Sequence, residues 1–134
     1  MFHHHHRVTY SDCTVGNHVY YGRYLDLLEE ARGEVFRSLG KTFAAWQADG
    51  LIFPVIEVQL RYKAAARYDE LLTIETRVIE ARGIRLNFGY RILGPDGSVR
   101  VEGETYHVCS NLEDRPKRIP QELLSVLPAD TQQP

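Results

Sequence analysis

The feature that most constrains this chain is a change of hydrophobic period partway along it. From about Val19 to Leu39, the residues Tyr20, Tyr24, Leu27, Leu28, Ala31, Val35 and Leu39 recur at spacings of three and four. That spacing puts them on one face of a helix. Gly40 supplies a stop at its end, and Asn17 is a candidate cap at its start. A short helical piece follows around Phe43 to Asp49. Beyond Gly50 the period falls to two. Ile56, Val58, Leu60 and Tyr62 alternate with polar neighbours, then Leu72, Ile74, Thr76 and Val78, then Ile84, Leu86, Phe88, Tyr90 and Ile92, then Val99, Val101, Gly103, Thr105 and His107. Gly94-Pro95-Asp96-Gly97 reads as the hairpin turn between the last two runs. A further short strand is expected at Arg7 to Tyr10, with Val8 and Tyr10 on one face. One helical turn is expected after Ile119-Pro120, and a frayed polar end at Thr131 to Pro134. A lone long helix has to bury its apolar face. An antiparallel sheet of about five strands curled around it is the economical solution, which makes the chain α+β.

Length and charge narrow the function classes. The 134 residues fit one domain, taken as 1–134. A formal net charge of -2 gives no reason to expect a nucleic acid partner. Two cysteines, Cys13 and Cys109, form neither a metal-binding pair nor a disulfide framework, so reduced thiols in a cytoplasmic protein are expected. No apolar run is long enough to span a bilayer, so no membrane partner is expected. The first residues lack the apolar stretch of a signal peptide. The run His3 to His6 is not read as a metal site, because neighbours on a strand point to opposite faces and cannot all grip one ion.

The segment from Arg7 to Arg32 carries a more specific pattern: Arg7, then Asp12-Cys13-Thr14, Val19-Tyr20, Tyr24-Leu25, and Glu29 with Ala31-Arg32. It resembles the 4-hydroxybenzoyl-CoA thioesterase-like family of the hot-dog fold. That family reads Arg, four residues, Asp-x-Asp, two residues, Gly-x-Val-Tyr, then Tyr-Leu and Glu-x-Ala-Arg. Leu60-Arg61-Tyr62, Asp69-Glu70-Leu71, Asp96-Gly97 and Lys117-Arg118-Ile119-Pro120 extend the likeness over nearly the whole chain. The resemblance implies one long central helix wrapped by the sheet, and hydrolysis of an acyl-CoA or acyl-carrier thioester to acid and thiol. It implies no cofactor, since coenzyme A arrives as part of the substrate. It also implies a homo-oligomer, a dimer or tetramer, with sites between subunits. An exposed sheet edge points the same way.

One departure from the family matters more than the agreements. The family's catalytic carboxylate is the second Asp of Asp-x-Asp, and here that position is Thr14. A threonine hydroxyl has no useful basicity at neutral pH. The competing reading is therefore a non-hydrolytic protein that binds an acyl thioester or another small molecule. A dehydratase of the same superfamily is a poorer match, because the helix opens with Val19-Tyr20-Tyr21 and not with a His-Asp pattern.

Thioester hydrolysis needs a polarised carbonyl and an attacking water. Backbone N–H groups of about Val19 to Tyr21, at the expected helix start, can supply the first, with Gly16 allowing close approach. For the second, His18 is a candidate base. Asp12 is either a second candidate or the tie that holds the loop. Thr14 can orient a water. Glu29 and Arg32 are expected to form a buried structural pair, and His107 and Cys109 to pack in the core. Cys13 has no obvious histidine partner for nucleophilic work. Tyr20, Tyr21 and Tyr24 either line an acyl pocket or fill the core. Arg61, Lys63 and Arg67, with Arg82, Arg85, Lys117 and Arg118, are candidates for the coenzyme A phosphates.

Overall fold

In a computed structural model, residues 1–128 are described. In chain order these hold β1 (Phe2–Arg7), α1 (Arg23–Ser38), α2 (Phe43–Ala48), β2 (Val55–Tyr62), β3 (Leu71–Arg82), β4 (Arg85–Leu93), β5 (Val99–Val108) and α3 (Gln121–Leu124). The strands form one antiparallel sheet in the order β1-β3-β4-β5-β2. The expected α+β architecture, with one long helix against about five strands, is what folds. The frayed end expected at Thr131 to Pro134 lies outside the described residues.

Register explains how the sheet cups the helix. Residues paired across an antiparallel ladder share a face, so each cross-strand row lies on one side. Tyr62, Val101, Ile92, Ile74 and His4 form one inner row. Leu60, Gly103, Tyr90, Thr76 and Phe2 form the next, and Val58, Thr105, Phe88 and Val78 the third. Against these rows α1 presents Tyr24, Leu27, Leu28, Ala31, Val35 and Phe36, all buried. Each such aliphatic or aromatic side chain contributes about 1.5–3 kcal/mol on leaving water, so this stripe fixes the helix on the sheet. The packing is lopsided: α1 sits over β1 and β3. The far inner edge, with Val58 39% and Tyr62 50% exposed, is left uncovered. β2 is thus an edge strand with apolar residues on its surface.

Two boundaries differ from the sequence reading. The first strand is β1, the histidine run itself, and not Arg7 to Tyr10. Val8 is buried and still bonds Glu70 and Asp69 through its backbone, but the chain then turns, and Tyr10 swings out to stack on Tyr68 at 3.9 Å. Val8 and Tyr10 therefore do not share a face. The helix begins at Arg23 and not at Val19, and its N-terminal flanking residue is Gly22. The cause is tertiary: the Val19 N–H donates to the Ala66 carbonyl and the Tyr20 N–H to the Asp12 carbonyl, both at 2.9 Å. Those bonds hold the segment extended. Asn17 lies in the loop with a positive φ and caps nothing.

Candidate active site

The loop between β1 and α1 is built around one carboxylate. Asp12 is 1% exposed. Its Oδ2 accepts from the Thr9 N–H at 2.8 Å and contacts His6 Nε2 at 2.7 Å, while Oδ1 accepts from Arg23 Nε at 2.6 Å. Burial works to raise its pKa; the Thr9 N–H, Arg23 and His6 more than offset that and hold it well below the usual carboxylate range. A permanently ionised, enclosed carboxylate with three donors is a structural tie. Of the two roles open to Asp12, the geometry matches the tie.

From this anchor the chain makes a closed loop. Cys13 bridges Val19, and the Thr14 N–H donates to the His18 carbonyl at 2.8 Å. These rungs stand Thr14 opposite His18 at the loop's neck, and both residues are exposed. At the tip Gly16 has φ +75, a conformation that side chains with a Cβ resist, and the His18 ring lies 3.6 Å from where that Cβ would be. Arg67 NH1 donates to the Gly16 carbonyl at 3.0 Å and braces the loop from outside. Arg67 thus reaches the site as a brace.

The start of α1 completes the arrangement. The Val19 and Tyr20 N–H groups are committed to Ala66 and Asp12, so they are not available to a substrate. Among the described residues, no acceptor reaches the N–H of Tyr21 or of Gly22. These two donors sit at the positive end of a 16-residue helix. A Cβ at Gly22 would come within 2.9 Å of the Tyr20 ring, so a larger residue there would push that exposed ring aside. Tyr20 and Tyr21 are exposed beside them, and the Tyr62 hydroxyl donates to the Tyr21 carbonyl at 3.0 Å. Tyr24 is buried in the core, where its hydroxyl accepts from the Ala66 N–H at 3.1 Å.

Other expected residues lie elsewhere. Arg61 and Lys63 form ion pairs with Glu102 and Glu104, Arg61 to Glu104 at 2.7 Å. Their register puts Arg61 on the outer face of the sheet, away from α1. The Glu29–Arg32 pair does not form: Glu29 is exposed and Arg32 is buried, donating to the Tyr90 hydroxyl at 3.1 Å. Arg82, Arg85, Lys117 and Arg118 do converge. Backbone bonds from Ile119 to Gly83, Cys109 to Ile84 and Lys117 to Cys109 bind the last segment to the β3–β4 turn. That cluster lies at the end of the sheet opposite the start of α1. The His3–His6 run alternates its faces along β1, and no group of three or more potential metal ligands assembles among the described residues. No helix among them is long and apolar enough to cross a membrane.

A long helix cupped by a five-stranded antiparallel sheet, with free N–H groups where a short polar loop runs into the helix, defines a hot-dog protein. The chain belongs to the thioesterase-like superfamily, whose family model matches residues 8–127. It is similar to the acyl-CoA thioester hydrolase YbgC of Escherichia coli, 32% identical over 120 residues, covering 89% of this chain and 90% of that one. Among solved structures it resembles the hypothetical protein TT1821 of Thermus thermophilus, with TM-score 0.88 and 30% identity over 95% of this chain and 97% of the other. The DHNA-CoA thioesterase of Staphylococcus aureus shares the fold, with TM-score 0.86 and 23% identity over 92% and 84% of the two chains.

Proposed function

We propose that this protein hydrolyses an acyl-CoA thioester in the cytoplasm. The observation that carries the proposal is the pair of unbonded N–H groups at Tyr21 and Gly22, at the end of the same loop that exposes Thr14 and His18. The thioester carbonyl oxygen docks on those N–H groups, where the helix dipole favours the negative charge that develops. His18 takes a proton from a water held between it and the Thr14 hydroxyl. The water oxygen adds to the carbonyl carbon. Collapse of the adduct breaks the carbon–sulfur bond, and the proton passes to the departing thiolate. The products are the free acid and coenzyme A.

The working unit is a dimer joined through the exposed edge of β2. Antiparallel pairing of two β2 edges places the α1 start of one copy at the same end as the other copy's Arg82, Arg85, Lys117 and Arg118. That juxtaposition supports these four, more than Arg61 or Lys63, as the holders of the coenzyme A phosphates. A non-hydrolytic binding role is supported by the family resemblance, which sets Thr14 against a catalytic carboxylate, and by the enclosure of Asp12, the carboxylate of this loop. Incubating the protein with a panel of acyl-CoAs and following free thiol separates the readings. Turnover abolished by substitution of His18 supports hydrolysis. Saturable binding without thiol release supports the binder.

A further inference from the structure

Arg32 is 9% exposed, on the third turn of α1, and no carboxylate pairs with it among the described residues. Of the five N–H groups a guanidinium carries, one is satisfied, by the Tyr90 hydroxyl. What lies beyond Tyr90 supplies no negative charge either. The Tyr90 hydroxyl is 2.6 Å from Thr105 Oγ1, which is 2.9 Å from His107 Nε2, and His107 Nδ1 is 2.9 Å from the Phe53 carbonyl. A carbonyl only accepts, so Nδ1 carries the proton. Burial, assisted by the charge on Arg32, keeps the ring neutral, so Nε2 accepts from Thr105, Thr105 from Tyr90, and Tyr90 from Arg32. Every hydrogen in this buried line points one way, and its upstream end is an unneutralised cation.

The cation is not sealed in. Among the described residues, the fully enclosed side-chain polar atoms without a partner are Trp46 Nε1 and Thr76 Oγ1. The unbonded nitrogens of Arg32 are not among them, so each keeps a small exposed area. On the helix, the neighbouring exposed positions are Leu25 and Glu29; on the sheet, the uncovered inner face of β2. A largely desolvated guanidinium with one neutral acceptor and a narrow exposed margin is suited to receive an anion. Ten residues of helix separate Gly22 from Arg32, about 15 Å of axis, and a long side chain leaning back toward the N-terminus shortens that to about 10 Å.

We infer that Arg32, steadied by Tyr90, recognises a carboxylate at the far end of the acyl group, so that the preferred substrate is the mono-thioester of a dicarboxylic acid of medium length. This rests on the thioesterase reading above, with the carbonyl seated at Tyr21 and Gly22. Arg32 acts as a specificity residue and takes no part in bond breaking.

The experiment compares ω-carboxyacyl-CoAs with plain acyl-CoAs of equal length, over about six to ten carbons. The wild-type protein is expected to favour the ω-carboxyl series by about tenfold or more in kcat/KM, chiefly through KM. Arg32→Gln is expected to lose that preference while turning over plain acyl-CoAs within about threefold of wild type, and Arg32→Lys to keep part of it. Equal kcat/KM for the two series in wild type, at every length, overturns the inference, as does a preference that survives in Arg32→Gln. If Arg32→Gln does not fold, the wild-type comparison decides alone. If no thioester turns over, the hydrolase reading fails separately; calorimetric binding of suberyl-CoA against octanoyl-CoA to wild type then decides, tighter binding of suberyl-CoA supporting the inference and equal affinity refuting it.

Discussion

Replacing Asp12 tests whether the active-site loop is held by a structural carboxylate or uses it chemically. Asp12→Asn keeps the shape but presents an NH2 where one carboxylate oxygen stood. Either orientation sets that NH2 against a donor, Arg23 Nε on one side or the Thr9 N–H on the other. Asp12→Ala removes all three bonds. Deleting one partner of an enclosed ion pair costs about 3–5 kcal/mol, and the amide, which retains one acceptor, about 2 kcal/mol. Arg23 is 31% exposed at its side chain and can rehydrate, which places Asp12→Ala nearer the lower end. At about 4 °C per kcal/mol for a chain of this size, thermal midpoints should fall by about 8 °C and 12 °C. The sign with pH follows from the lowered pKa: the contribution of Asp12 is present above the unfolded value of about 3.9 and fades as pH drops below it. Circular dichroism melts at pH 7, paired with acyl-CoA hydrolysis, make the measurement. Activity should fall with the stability of the loop and return partly on cooling. An Asp12→Asn protein that melts within about 2 °C of wild type yet is catalytically dead would refute the tie and make Asp12 the base.

Four further outcomes are expected. His18→Asn should lower kcat for the best acyl-CoA by at least about tenfold with little change in KM or melting, read from steady-state kinetics. Thr14→Asp should raise thioesterase activity, since it restores a carboxylate beside His18; a brisk wild type slowed by this change would mean a site rebuilt around other groups. His107, its pKa lowered to about 4 by burial, favours a fold that keeps it neutral. Its contribution is therefore complete above about pH 6.5 and is lost as pH falls toward 4, on the order of 3 kcal/mol, and urea midpoints of His107→Gln should fall less steeply than wild type over that window. Val58→Asp on the uncovered edge of β2 should shift the species seen by sedimentation from dimer to monomer at micromolar concentration, and an unchanged dimer would exclude that edge as the interface.

The helix stripe and the alternating strands were legible because burial imposes periodicity directly on the residue order. Tyr24, Leu27, Leu28, Ala31 and Val35 face the sheet as their spacing requires. The errors fall where long-range bonds override local pattern. Val19 and Tyr20 look helical, but Ala66 and Asp12 capture their N–H groups, and no spacing within the segment reveals that. The histidine run has no apolar period, although His4 and His6 turn inward to Glu30 as alternate strand residues must. Glu29 and Arg32 have the separation of a helix pair, yet one faces water and the other the core. A finer count of the stripe could have found Arg32, since it falls four residues after Leu28 and four before Phe36, both buried. Arg61 could also have been placed: it precedes Tyr62 on the strand, so if Tyr62 faces the helix, Arg61 cannot.

The part of the proposed site made of main chain is independent of the side chain at position 14. The Tyr21 and Gly22 N–H groups are free because they stand at the start of α1, where no preceding turn supplies an acceptor, while Ala66 and Asp12 take the two N–H groups just before them. None of that depends on the side chain at position 14, which makes no hydrogen bond of its own to the loop. In the proposed mechanism, carbonyl polarisation and water activation are therefore separable. The first rests on the helix start and the carboxylate tie beneath it, and the second on the exposed side chains at the loop's neck. On that division, a change at position 14 leaves the main-chain part of the proposed site in place. It also assigns the effects of substitution in advance: changes to Asp12 or Gly22 should disturb both substrate affinity and turnover, whereas changes to Thr14 or His18 should act on turnover alone.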